Sequence, residues 1–260
     1  MKNKKIRFNL IENAKDSLAH AVEHLAGPEE PTPGDLKRAI LDVAHVAELI
    51  LKERVRRIHR AFIWEKVDKY PSLAAQTIGT DKAVSRLLNL EGIALTKDSK
   101  KTLLTCRRIR NFIEHFEFEI ELKEARAIVG RMLSFIFTFA KSHLELDLET
   151  DFKEDDRWSE LIQIYEFWEA HSTALERQLS EEGTPVCDCP SCDATTFDLS
   201  VMECVFCGHR EEQIECDICH ETVWETDTET FDLVEADREP ESVTVCQTCI
   251  ERSQAEEDAL

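Results

Sequence analysis

Along the first two thirds of the chain, apolar residues recur at intervals of three and four, the period of a helix with one buried face. Ile11, Ala14, Leu18, Ala21, Val22 and Leu25 form the first stripe, and Gly27-Pro28 is expected to stop it. Pro28, Pro31 and Pro33 then mark a loop. A second helix is expected from Asp35, read as its cap, through Leu36, Ile40, Val43, Ala47, Ile50 and Leu51 to about Arg57. Ile58 to Tyr70 continues or bends it, and Pro71 ends it. Further helices are expected over Asp81–Leu90, Asp98–Phe118 and Lys123–Leu146, the last with Ile128, Val129, Met132, Leu133, Phe135, Ile136 and Phe139 inward. Residues 1–147 therefore read as a bundle of up-and-down helices.

A different pattern follows. Trp158, Leu161, Tyr165, Trp168, Ser172, Leu175 and Leu179 alternate by three and four, so residues 148–183 read as a connector holding one long heptad-bearing helix, expected to pack on the bundle, with a dimerising or spacer coiled coil as the alternative. Gly183-Thr184-Pro185 breaks it, and helical periodicity then vanishes in favour of Cys, Asp, Thr and Val. The expected fold is mainly α: a helical bundle, a long helix, and a small cysteine-rich module of knuckles and short strands over 187–252. An acidic, disordered end is expected over 253–260.

Eight of the ten cysteines form four C-x2-C pairs: Cys189/Cys192, Cys204/Cys207, Cys216/Cys219 and Cys246/Cys249. Two thiolates two residues apart across a tight turn reach one tetrahedral ion at about 2.3 Å each. Four such pairs point to two structural Zn2+ in a double zinc-ribbon-like module. A disulfide framework fits less well, because C-x2-C is awkward bridging geometry and no secretory signal is seen. The sequential partition puts Cys189, Cys192, Cys204 and Cys207 on one ion and Cys216, Cys219, Cys246 and Cys249 on the other. An interleaved arrangement is the alternative. Gly208 suits a knuckle that needs positive φ; Asp193, His220 and Ile250, in the equivalent places, suit it less. Cys187 reads as a spare thiol and Cys106 as a small buried hydrophobe. His209 and His220 are expected to face solvent. With every position filled by sulfur, neither ion is catalytic, and the module's expected role is to bind a protein partner.

Charge divides the chain in the same way. Of the net −21, residues 1–147 carry 26 Lys+Arg against 21 Asp+Glu, whereas residues 148–260 carry 6 against 32. The acidic part is a poor surface for phosphate backbones; the helical part is not. Seven scattered glycines exclude a phosphate-cradling loop, and no G-x-S-x-G elbow is present. The longest uncharged run of the most apolar segment, Met132–Ala140, is too short to span a bilayer. No membrane association and a cytoplasmic location are expected.

The most informative stretch is Cys106-Arg107-Arg108-Ile109-Arg110-Asn111-Phe112-Ile113-Glu114-His115-Phe116. Ile109, Phe112, Ile113 and Phe116 are expected to form its buried stripe. The other face gathers Arg107, Arg108, Arg110, Asn111, Glu114 and His115. A histidine can move a proton to or from a reacting hydroxyl, and a guanidinium can pair with a phosphate and its transition-state charge. That combination suits phosphodiester cleavage without metal, although a solvated helix face carries the same residues.

Arg110-Asn111-x3-His115 resembles the R-x4-6-H motif of the HEPN superfamily, the higher eukaryotes and prokaryotes nucleotide-binding domains. Val46 to Arg54, with its Glu48-Leu49-Ile50-Leu51-Lys52 run, is similar to an early helix of that superfamily. The resemblance covers a little over half the chain. It implies a HEPN-like helical bundle, a homodimer with two facing motifs, and metal-independent endoribonuclease activity, often in toxin or antiviral defence systems. Carried onto this chain, Arg110 and His115 are catalytic and Asn111 orients them, with Arg107 and Arg108 binding RNA. Arg108 is a second candidate for the motif's arginine. Members that have lost activity imply the alternative, a non-catalytic zinc-binding adaptor whose helical domain dimerises.

Overall fold

The computed structural model describes residues 6–26, 30–72, 74–153, 156–233 and 241–257, and divides the chain into two units, Met1–Glu182 and Gly183–Leu260. In the first, helix α1 (Leu10–Glu23) is opened by a capping box. The Asn9 side chain accepts from the backbone N–H groups of Ile11 and Glu12, while Glu12 accepts from that of Asn9. The expected stop at Gly27-Pro28 lies outside the described residues. Helix α2 (Pro33–Ile58) is capped by Thr32 and not by Asp35. Pro33 fills the first helical position, where its missing N–H costs nothing, and Asp35 becomes the third residue of a second capping box. Helices α3 (Thr80–Glu91), α4 (Lys97–His115) and α5 (Leu122–Leu144) follow. Two 3-10 turns, Arg60–Ile63 and Val67–Lys69, occupy the stretch where α2 was expected to continue or bend.

The core lies between α2 and α5. Ile40, Val43, Ile50 and Leu51 of α2 meet Ile128, Met132, Leu133 and Ile136 of α5 within the same buried set, and α1, α3 and α4 pack on α2. These two helices carry the largest buried sets among the described helices, twelve residues of α2 and thirteen of α5.

The long heptad helix does not form. Its residues fold as α6 (Thr150–Lys153), α7 (Asp156–Ile162) and α8 (Tyr165–Glu182), which belong to the helical unit. Folding back buries Trp158 and Leu161 and sets Phe152, Trp158 and Phe167 edge-on around Phe137 of α5, at centroid distances of 6.3, 5.8 and 6.0 Å. Tyr165, on the predicted seam, is exposed, and Phe167, off it, is fully buried. Aromatic burial against α5 outweighs continuation of one helix.

Gly130 permits the close packing of α5 on the start of α8. A Cβ there would lie 2.7 Å from the carbonyl carbon and oxygen of Glu166 and 2.8 Å from the nitrogen of Phe167. Since these are backbone atoms, relief requires moving α8. Gly130→Ala is expected to destabilise the helical unit by about 1–3 kcal/mol, read as a lower thermal midpoint in far-ultraviolet circular dichroism. An unchanged midpoint would show that α8 shifts freely.

The second unit is built from short antiparallel pairings. Strands β1 (Val186–Cys187), β2 (Phe197–Asp198) and β3 (Glu203–Cys204) form one sheet in that order, with Phe197 opposite both Cys187 and Cys204. Strand β4 (Gln213–Glu215) pairs with β5 (Thr222–Trp224), and β6 (Thr228–Leu233) with β7 (Glu241–Cys246). Helix α9 (Gln247–Glu257) then runs through most of the end that was expected to be disordered. It starts directly after Cys246, so the last cysteine pair is displayed on a strand end and a first helical turn. Residues 258–260 lie outside the described residues. Among the described residues, no helix is long and apolar enough to cross a membrane.

Candidate metal centres and the arginine–histidine face

The four cysteine pairs assemble in the sequential partition, Cys189/Cys192/Cys204/Cys207 and Cys216/Cys219/Cys246/Cys249. Sulfurs of the first set stand 3.7 Å (Cys189 to Cys207) and 3.8 Å (Cys192 to Cys204) apart. Those of the second stand 4.0 Å (Cys216 to Cys249) and 3.8 Å (Cys219 to Cys246) apart. A tetrahedron with bonds of about 2.3 Å has edges of about 3.8 Å, so each set fits one tetrahedral ion. A disulfide would require about 2.05 Å.

The same turn presents three of the pairs. Asp193, Gly208 and His220, each directly after the second cysteine, all have positive φ, at 58°, 80° and 58°. Each donates its N–H to the carbonyl of the first cysteine of its pair, at 2.8–2.9 Å. Asp193 and His220 thus adopt the conformation that only Gly208 seemed suited to, and Ile250 is excused from it because the fourth pair opens into α9.

Donors around the sulfurs favour thiolates. Backbone N–H groups of Ser191, Cys207, His209 and Cys246 point at the sulfurs of Cys189, Cys204, Cys207 and Cys216, at 3.3–3.5 Å. The Arg252 guanidinium donates to Cys249 at 3.3 Å. Hydrogen bonds from Cys192 and Cys207, helped by the N–H of Cys207 and the Thr196 hydroxyl, push the Cys204 thiol far below its ordinary range. The backbone N–H groups of Cys219 and Cys246 bring Cys216 down to about 6. With an ion bound and all four sulfurs ionised, the backbone N–H groups, the Thr196 hydroxyl and the Arg252 guanidinium are the donors that remain to disperse the charge. Thr196 and Arg252 carried no sequence signal, since their part depends on the folded turn.

Cys187 belongs to neither set, and Cys106 is buried against the carbonyl of Ile40, with its thiol pushed up to about 12 by burial. His220 is exposed, as expected, beside Glu215. His209 is not: it is partly buried near Phe197 and meets Glu211 at 2.7 Å. Buried Glu211 also accepts from the N–H of Thr226 at 3.0 Å, and Phe197 packs on Trp224 at 4.7 Å. These contacts join the two cysteine modules to each other.

On α4 the expected buried stripe ends early. Thr102, Leu103 and Cys106 are buried, whereas Phe112 is 47% and Phe116 70% exposed. Phe118 and Leu122, just beyond, are exposed as well. Periodicity identified the apolar face, but among the described residues the last turns of α4 leave Phe112 and Phe116 on it exposed.

The polar residues of α4 divide between two rows. Arg107, Arg110 and Asn111 line a cleft of about 310 Å³ with Glu48, Asp81 and Lys82. Arg107 pairs with Asp81, and Arg110 pairs with Glu114 at 3.1 Å. Arg108 and His115 lie outside that cleft and are exposed, two turns apart on the row that Asn111 shares. Asn111 therefore stands at the junction between the arginine-lined cleft and the exposed histidine. No protein-family model, curated protein or solved structure matches this chain.

Proposed function

We propose that this protein is a HEPN-type, metal-independent endoribonuclease carrying two structural zinc modules. The observation that supports it best is the exposed row Arg108, Asn111 and His115 beside a cleft lined by Arg107 and Arg110. In this reading His115 takes the proton of a ribose 2′-hydroxyl as its oxygen attacks the adjacent phosphorus. The bond to the 5′-oxygen breaks, that oxygen receives a proton, and a 2′,3′-cyclic phosphate remains. Arg110 pairs with the phosphate, and Asn111 orients the two groups. The exposed Phe112, inside the motif, and Phe116, directly after it, support a homodimer that sets two such rows together. The zinc modules hold no open coordination position and serve a protein partner, and cysteines held as metal-bound thiolates rather than disulfides fit a reducing cytoplasm.

The pairing of Arg107 with Asp81 and of Arg110 with Glu114 favours a second reading, because RNA phosphates must displace these carboxylates. In it the helical unit dimerises without catalysis and the whole chain is a zinc-binding adaptor.

Incubation with structured RNAs in EDTA separates the two. Cleavage to 2′,3′-cyclic phosphate ends is expected, with His115→Ala slowing it by about 10²–10⁴-fold. Wild type and His115→Ala equally inert across diverse RNAs would leave the adaptor. Sedimentation as a monomer at all concentrations would remove the paired motifs.

A further inference from the structure

We propose that His20, His24 and Asp42 form a third metal site, for a borderline divalent cation such as Zn2+, on the helical unit. One ring nitrogen of each histidine and a carboxylate oxygen of Asp42 lie within 4.8 Å of one another. The two histidines are one turn apart where α1 ends, with ring centroids 4.5 Å apart and planes inclined by 75°. Asp42 comes from α2, and its Oδ2 lies 2.7 Å from Nδ1 of His20. Two imidazoles and a carboxylate are a donor set that Zn2+ and its neighbours accept, with a position left for water or an exogenous ligand.

The second observation lies around His24. Its Nδ1 is 3.2 Å from Oδ1 of Asp35, whereas its Nε2 is buried and has no hydrogen-bond partner among the described residues. A buried polar atom without a partner costs about 1–3 kcal/mol, so its persistence calls for an occupant. Asp35 is itself held: the Thr32 hydroxyl and N–H donate to Oδ2, and Arg38 approaches Oδ1 at 3.4 Å. A carboxylate oxygen can only accept, so Asp35 Oδ1 accepts from Nδ1–H of His24, which fixes the tautomer whose Nε2 carries the free lone pair. A carboxylate behind a metal-ligating histidine does this in general. Asp35 and Asp42 are seven residues apart on one face of α2, so both histidines of α1 meet the same row.

Ligand atoms around a tetrahedral ion with bonds of about 2.0–2.1 Å stand roughly 3.3 Å apart. The His20–Asp42 edge, at 2.7 Å, is a hydrogen-bond distance shorter than that, so the exposed His20 ring moves off Asp42 slightly as an ion enters. An ion held here ties α1 to α2, so it stabilises their pairing by mass action. The site is remote in sequence from the arginine–histidine row, and the proposal does not rest on the ribonuclease reading.

The test uses the full chain with both cysteine sets already filled. Titration with Zn2+ in a calorimeter is expected to show one further equivalent. It should disappear in His20→Ala/His24→Ala and weaken by about 10–100-fold in Asp35→Asn, which loses the charge that orients His24. Co2+ in its place should give visible d–d bands without new thiolate charge-transfer absorption. The histidine ring resonances of His20 and His24 should shift on addition of Zn2+, a readout that needs no variant to fold. Absence of a further equivalent in wild type, its persistence in the double variant, or unmoved His20 and His24 resonances would each overturn the site.

Discussion

Cys204→Ser is expected to lower the number of cysteine-bound ions from two to one and to unfold the first cysteine module alone. The physical basis is the size of what surrounds that sulfur. Ala194, Thr196, Phe197 and Phe206 are its buried neighbours in sequence, and its sheet consists of two-residue strands. So small a core cannot offset the conformational entropy of the loops it orders, about 1–2 kcal/mol per residue for the backbone alone. Structural zinc supplies on the order of 10–16 kcal/mol in modules of this size. Amide exchange should therefore lose protection across Val186–Cys207, while the helical circular dichroism signal stays, because the α2–α5 core holds no cysteine ligand. Cys187→Ser should change nothing, since that thiol lies outside both sets. Retention of two cysteine-bound ions by Cys204→Ser, or collapse of the helical signal with it, would refute the division of labour.

His171→Ala is expected to cost the helical unit about 3–5 kcal/mol, a fall of on the order of 10 °C in thermal midpoint. His171 is fully buried on α8 and stacks on Phe167 at 5.1 Å, and its Nε2 lies 3.1 Å from Oε1 of Glu149. Glu149 is 3% exposed and is also reached by Lys153 at 2.8 Å. Burial pushes the Glu149 carboxyl up, but the hydrogen bond and charge of His171, joined by Lys153, outweigh it and bring it down to about 2. Removing the imidazole leaves a buried carboxylate with less compensation. A carboxyl with a depressed folded-state pKa contributes its stability above the unfolded value of about 4.5 and loses it as pH falls toward 2. The gap between wild type and His171→Ala should therefore narrow through that window. A Glu149→Gln/His171→Phe double variant should recover much of the loss by replacing the pair with neutral groups of similar volume. A His171→Ala midpoint within about 2 °C of wild type, a change worth no more than about 1 kcal/mol in a unit of this size, would refute the estimate.

The cysteine sets were the most legible feature of the chain, because a C-x2-C ligand pair is a local object: its geometry is decided by four residues and one turn. Even there, the left-handed backbone at Asp193 and His220 was not evident, since neither residue advertises positive φ as glycine does. The motif of α4 was legible as a face and not as a site. Arg107 and Arg110 turn into a cleft lined by residues of other segments, where Arg107 pairs with Asp81, and His115 does not. The pairing of His20 and His24 with Asp35 and Asp42 was invisible, although H-x3-H stands in the sequence. Half of that constellation belongs to another helix, and only the packing of α1 on α2 brings the halves together.

By itself, the sequence determined the helical period of the first part, the change of composition at Gly183, and the grouping of eight cysteines into four pairs. Each depends on interactions within a few residues, for which spacing along the chain is also spacing in space. The tertiary structure alone decided what each apolar face meets. It broke the heptad stretch so that Trp158 and Phe167 reach Phe137, and it buried His171 against Glu149. It also left Phe112 and Phe116 uncovered at the end of α4. A hydrophobic period records that a face prefers to leave water, but the free energy gained is non-directional, so the partner is set by which surfaces the remaining helices leave within reach.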